Sequence, residues 1–179
     1  MKISTFRTDE LSSETRGGIL ELCSLAFGSP FDELFDFVGP SGVHVMLNDD
    51  SGDLSSHCVV TERTFWIGEH GPMRAGYIDA VATRPTKQGL GYGRAVMAES
   101  CLVCKSMGMD IMGLSTFIPE WYGSMGWKEW NGKLGLRNGS DIRQTSDLDG
   151  VVMVYGLAES YILDFSQHLI ASWRPNGGW

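Results

Sequence analysis

No apolar run in this 179-residue chain approaches the roughly 20 residues a helix needs to cross a bilayer. Nor does Met1-Lys-Ile-Ser-Thr-Phe-Arg have the basic-then-apolar layout of a secretory leader, so a cytoplasmic, reduced protein without membrane contact is expected. Basic residues are scarce: 14 Lys+Arg against 22 Asp+Glu leave a net charge of −8. That balance argues against a nucleic-acid partner, whose phosphates demand a basic face. An acidic cleft would instead concentrate a cationic small molecule. Cysteine is sparse too, at Cys23, Cys58, Cys101 and Cys104. No second pair or nearby histidine completes a zinc set around Cys101-x-x-Cys104, and helical spacing puts both on one face, so they read as core thiols and no metal is expected. Low-complexity linkers and internal repeats are also absent.

What is present suits one domain over residues 1–179, since 42% hydrophobic residues suffice for a core. Lys2 to Arg7 alternates as a short strand, and Ser12 can cap a helix from Ser13 to Phe27 with Ile19, Leu20, Cys23 and Ala26 at helical spacing. Pro30 is expected to open a second short helix carrying Asp32, Glu33 and Asp36. Val43 to Asn48 and Ser56 to Ile67 read as strands joined by the turn-rich Asp49-Asp-Ser-Gly-Asp53. Gly71-Pro72 leads into a strand from Arg74 to Arg84, and a helix follows from about Gly91 to Met107. Strands are expected at Met109 to Ser115, Trp127 to Leu136 and Val151 to Leu157. Pro119 to Ser124 reads as a short helix and Asp141 to Gly150 as a polar loop. The order predicts an α/β arrangement in which helices flank a mixed central sheet.

The most informative run is Tyr77-Ile-Asp-Ala-Val-Ala-Thr-Arg84-Pro-Thr-Lys-Gln88-Gly-Leu-Gly91-Tyr-Gly93-Arg94. Arg84-Pro85 stops a strand, because proline fixes φ and removes a ladder donor. The glycine-rich stretch then opens a helix, leaving backbone N–H groups at the positive end of its dipole, a ready site for a pyrophosphate. It is not a Walker loop, for no Gly-Lys-Ser/Thr follows, and its glycine spacing does not fit the dinucleotide pattern.

Gln88, Gly91 and Gly93 in this context resemble the Gln/Arg-x-x-Gly-x-Gly/Ala loop of the GNAT acyltransferase superfamily. The resemblance implies the GNAT fold, an α+β class, with acetyl-CoA as co-substrate. Its pyrophosphate would lie on Gln88, Gly89, Leu90, Gly91, Tyr92, Gly93 and Arg94. The pantetheine arm would pair with the backbone of Val81, Ala82 and Thr83 like an added strand. Ser13 to Arg16, Met112-Gly-Leu-Ser115, Trp121-Tyr122-Gly-Ser-Met-Gly126-Trp127, Leu148-Asp-Gly-Val-Val-Met-Val154 and Ser172-Trp-Arg-Pro-Asn-Gly-Gly-Trp179 narrow it further. Together they resemble the aminoglycoside 2′-N-acetyltransferases over nearly the whole chain.

The resemblance implies direct transfer of acetyl to an amine, which must lose a proton while the departing thiolate gains one. Asp79 stands where the family has a glutamate acting through water; one methylene shorter, it favours a water relay. Tyr122 stands where a tyrosine serves the thiolate as acid. Asp79, Ala80, Ser115 and the terminal Trp179 would contact the aminoglycoside, along with Asp32, Glu33, Asp36, Asp147 and Asp149. The family's regiochemistry would make the 2′-amine the acceptor and antibiotic resistance the outcome. Apolar residues on exposed strands would suit a homodimer.

Three departures bear on the acceptor. Pro30 and Phe35 fall near an acidic pair of the family, Leu148 separates Asp147 from Asp149, and Pro175-Asn-Gly-Gly lacks an acid found in some relatives. Each missing charge-assisted hydrogen bond loses about 1.5–3 kcal/mol, so a smaller aminosugar such as kasugamycin is expected. The rival readings are a GNAT enzyme for another small amine or a peptide N-terminus, and a non-catalytic coenzyme A sensor.

Overall fold

The computed structural model describes residues 1–145, 150–157, 162–175 and 178–179. They gather into two units, Met1–Thr61 with Ile78–Val103, and Glu62–Tyr77 with Cys104–Trp179. Strands β3 (Leu54–Ile67) and β4 (Met73–Thr83) and helix α3 (Tyr92–Ser106) contribute residues to both.

In the first unit, Ser12 caps α1 (Ser13–Phe27), its side chain accepting from the Thr15 N–H at 3.1 Å. Such a cap supplies one of the orphan first-turn donors with an acceptor. The apolar face of α1 buries Ile19, Leu22 and Cys23 against Leu34, Val38, Met46, Val59 and Ala82. Burial pushes the Cys23 thiol up to about 12, which makes it an inert core group. Strand β1 (Lys2–Arg7) runs antiparallel to β2 (Val43–Asn48), and β2 antiparallel to β3, with Val43 opposite Val60 and Met46 opposite His57. The Asp49 carboxylate closes the β2–β3 turn by accepting from the Ser51 and Asp53 N–H groups and the Ser55 hydroxyl.

In the second unit, β4 lies parallel to β5 (Ile111–Thr116), which pairs antiparallel with β9 (Val151–Gly156). Strand β10 (Leu169–Ser172) pairs antiparallel with the end of β3 and parallel with β7 (Leu134–Asn138). The sheet is therefore mixed. Its core includes Phe65, Tyr77, Ile111, Trp130, Val154, Leu169 and Trp179.

Most expected elements are present within a residue or two at their ends. Four expectations need correction. The second short helix, α2, spans Leu34–Val38 and does not start at Pro30. Phe31 N–H instead donates to Ser24 Oγ, Glu33 is the residue before the helix, and only Asp36 of the three acids lies inside it. The expected strand from Trp127 to Leu136 is two, β6 (Lys128–Glu129) and β7. Between them the backbone leaves the ladder, with the Asn131 and Gly132 N–H groups donating to Phe165 O. A Cβ at Gly132 would stand 1.8 Å from Gln167 O, so only glycine permits this approach.

The polar stretch from Asp141 begins as strand β8 (Asp141–Gln144), antiparallel to β7 and exposed throughout. Because it buries no face, it lacks the apolar alternation that would have marked it. Strand β10 was not foreseen at all. Only four residues long, it is held by two neighbouring strands instead of by its own pattern. Of the paired helical cysteines, Cys104 is buried and Cys101 only partly so.

Candidate active site

In the first unit β4 carries an unusual backbone conformation at Ala80, whose φ is +51°, the one positive value at a non-glycine among the described residues. An L-residue there costs about 1–2 kcal/mol, so neighbouring groups must hold it. A buried hydrogen-bonded row does so. The Ala80 carbonyl lies 3.1 Å from His57 Nδ1, His57 Nε2 lies 2.9 Å from His44 Nδ1, and His44 Nε2 lies 3.0 Å from Thr8 Oγ1.

A carbonyl only accepts, so His57 must donate through Nδ1 and accept through Nε2. His44 then donates through Nδ1, and Thr8 donates its hydroxyl proton to His44 Nε2. Gly42 O, also near that hydroxyl, keeps the Thr8 N–H at 2.8 Å. Both imidazoles are thereby neutral. Burial, then the nearby Arg16 guanidinium, pushes His44 down to about 4. Burial, then His44, pushes His57 down to about 3, against the opposing bond to Ala80.

Next to Ala80, Asp79 is half-buried, with the Thr61 hydroxyl at 3.5 Å from Oδ2. Farther along β4, Ala82 O accepts from the Ser56 hydroxyl at 2.9 Å, and Ser56 Oγ is also 2.9 Å from Thr83 Oγ1. Val81 is half-buried. A single 3-10 turn, Pro85–Lys87, then carries the chain into the glycine loop. Lys87 Nζ meets Asp49 at 2.8 Å, and this ammonium, with the turn's backbone N–H groups, holds the Asp49 carboxyl down to about 2.

Gly89 and Gly91 take φ of +79° and +84°, and a Cβ on either would meet nothing within 4 Å. Their need for glycine is thus conformational, and the space above them is open. Gly91 O receives the first helical bond, from Ala95 N–H at 3.0 Å. The N–H groups of the first turn, around Tyr92 and Gly93, fall outside the intrahelical ladder by its geometry. With Gln88, Gly89, Leu90 and Gly91 exposed, this terminus can receive an anion. The Gln88 amide itself turns back to Thr83 O at 3.4 Å. Asp32, Glu33 and Asp36 are exposed around α2 in the same unit.

The second unit carries Ser115, Tyr122 and Trp179. Ser115 is half-buried on β5 opposite Val152, and a Cβ at Gly150 would lie 3.6 Å from its hydroxyl. Tyr122 is buried in α4 (Pro119–Gly123), edge-on to Trp121 and Trp127 with ring centroids 4.7 and 6.1 Å away. Trp179 docks in the core: its ring packs on Phe65, and its indole N–H donates to Thr145 Oγ1 at 2.9 Å. Asp147 and Asp149 lie outside the described residues.

Arg63, buried, holds this tail. It donates to Ser172 O through Nε and Nη2 and to Gly178 O through Nη1, while its guanidinium lies over the Tyr77 and Trp179 rings. Sequence reasoning missed Arg63 and the two histidines. A signal for the histidines was available. With the Asp49–Asp53 turn placed, His44 falls opposite Val59, and residues two apart in a strand share a face, so His57 joins His44 there.

Residues 8–129 match the family model described as an acetyltransferase (GNAT) domain. The chain is 27% identical to an aminoglycoside 2′-N-acetyltransferase of Mycolicibacterium fortuitum, over 96% of its own length and 89% of that protein. Its fold is similar to a GNAT-family N-acetyltransferase of Escherichia coli solved with CoA. That match has a TM-score of 0.66 at 14% identity, covering 94% of this chain and 88% of that one. An aminoglycoside 6′-N-acetyltransferase complexed with coenzyme A superposes with a TM-score of 0.63 at 14% identity, over 88% of this chain and 98% of that one. A strand running into a glycine loop and helix agrees with the family model that covers residues 8–129, and by that match the chain belongs to the GNAT acetyltransferase family.

Proposed function

We propose that the protein transfers acetyl from acetyl-CoA to an amine of an aminoglycoside antibiotic, at the 2′ position, and so confers resistance. The observation carrying this reading is the relationship to the Mycolicibacterium fortuitum enzyme over 96% of the chain. The open, positive-φ loop from Gln88 to Arg94 fits a pyrophosphate, and the backbone from Val81 to Thr83 fits a pantetheine arm added as a strand.

Acetyl-CoA, when bound, supplies an acyl group activated as a thioester. Asp79 holds the acceptor ammonium and takes up its proton through a water, so that the free amine attacks the thioester carbonyl. As the tetrahedral centre collapses and the C–S bond breaks, Tyr122 delivers a proton to the sulfur. Ala80, Ser115 and Trp179 line the acceptor's binding surface, with Asp32, Glu33, Asp36, Asp147 and Asp149 as counter-charges to its ammonium groups.

The proposed acceptor is small, of the kasugamycin kind. The three described acids around α2 are exposed side chains whose charge solvent screens, a poor match to a large polycation. Coenzyme A release measured with kasugamycin and with gentamicin tests this. Higher kcat/KM for kasugamycin is expected; a large preference for gentamicin contradicts the small-acceptor reading, and no turnover with any aminoglycoside contradicts the substrate class.

A further inference from the structure

The buried row Thr8–His44–His57 is not accounted for by acetyl transfer as described. It ends on a backbone carbonyl, so it cannot deliver a proton to a reacting group. What it can do is fix a direction. The Ala80 carbonyl and the Val81 N–H belong to one planar trans peptide and point to opposite sides of it. A donor that captures Ala80 O therefore aims the Val81 N–H away from the histidines. Strand pairing ordinarily sets that direction, but Ala80 at φ +51° has left the regular strand conformation.

The geometry points to His57 as a positioning residue: oriented by His44 and Thr8, it turns the Ala80–Val81 peptide so that the Val81 N–H donates to the thioester carbonyl. This rests on the proposed use of the Val81–Thr83 backbone for the acyl-pantetheine. The charged and titratable groups about the row agree with a fixed neutral relay. Arg16, on α1, donates to Thr8 O at 2.6 Å, the Phe35 ring covers His44, and Asp79 precedes Ala80 on β4. Thr8, His44 and His57 are all buried, so solvent does not compete for the bonds.

The row also sets its own test. In His57→Asn the amide nitrogen stands near the position of Nδ1 and can still donate to Ala80 O, whereas His57→Leu offers no donor. Both lose the bond to His44, and both should lose similar thermal stability. The functional readout is the affinity of acetyl-CoA relative to ethyl-CoA, which lacks the carbonyl. One neutral hydrogen bond corresponds to about two- to tenfold in affinity.

The unaltered protein and His57→Asn are expected to keep that preference, and His57→Leu to lose it with unchanged affinity for ethyl-CoA. Equal preference in a folded His57→Leu, or equal loss in both variants, overturns the role. Nitrogen-15 spectra of the unaltered protein supply a reading that needs no variant: Nδ1–H tautomers at both histidines are expected, and an Nε2–H tautomer at His57 refutes the assignment. Neither readout needs an acceptor. Failure of both CoA thioethers and thioesters to bind would instead sink the acetyl-CoA reading itself, while the spectra still judge the tautomer.

Discussion

His44 Nδ1 and His57 Nε2 stand 2.9 Å apart in the buried interior of the first unit, with one proton between them. A second proton cannot enter at His57 Nε2 without setting two N–H groups face to face. His44 Nε2 can take one, if the Thr8 hydroxyl turns to Gly42 O. That order agrees with His57 being depressed further, to about 3, than His44, to about 4.

Stability should therefore fall in mild acid. Both folded-state values lie below the ordinary 6.5, so the unfolded chain binds protons that the folded chain refuses. The stabilisation is complete above 6.5 and declines as the pH falls toward 4. The slope is at most about 1.4 kcal/mol per pH unit for each histidine. Urea unfolding at about pH 7 and about pH 5, compared with His57→Asn, should show a steeper loss in the unaltered protein. Parallel loss in both would remove His57 from the account.

Replacing Arg63 by methionine should free the chain terminus. The guanidinium holds the carbonyls of Ser172 and Gly178, and bonds from a charged donor contribute about 1.5–3 kcal/mol each. A loss of about 3 kcal/mol is expected, with faster carboxypeptidase removal of Trp179 and a red shift of its fluorescence. A variant that resists the peptidase as well as the parent would show that the apolar docking of Trp179 suffices.

Gly91→Ala should weaken coenzyme A binding and stability together. The added Cβ meets no atom of the protein, so the cost is the positive φ of 84°, about 1–2 kcal/mol. If the loop abandons that conformation instead, calorimetry should show CoA affinity lost by about tenfold or more. Unchanged binding and melting would mean the loop's conformation is not needed.

Tyr122→Phe should separate chemistry from binding. The ring's packing on Trp121 and Trp127 survives the change, whereas the phenolic proton does not. Under the proposed mechanism kcat falls by about 10²–10⁴ with acetyl-CoA affinity unchanged. Asp79→Asn should likewise lower kcat, and most at low pH, where the acceptor amine is most protonated.

The parts of the fold written in local chemistry were legible: Ser12 as a cap, Pro119 at a helix start, the glycine loop before α3. The GNAT assignment came from that loop in its setting between strand and helix. What was illegible was decided by partners distant in sequence. Strand β10 exists because β3 and β7 flank it, and the break before β7 exists because Gln167 O occupies the space above Gly132. The same holds for the site. Asp79 and Tyr122 could be proposed from a family resemblance, but His57 meets Ala80 through a contact 23 positions away, and Arg63 meets Gly178 through one 115 away. A histidine in an apolar strand carries no local mark of what its ring will touch.

The central claim is acetyl transfer to a 2′-amine, and locating the acetyl group on the product tests it most directly. Purified protein would be incubated with acetyl-CoA and a 2′-amino aminoglycoside, or with its 2′-hydroxyl counterpart, and the products examined by tandem mass spectrometry and NMR. The account predicts one acetyl group on the 2′ nitrogen of the first and no product from the second. Acetylation of both acceptors at another amine would contradict it.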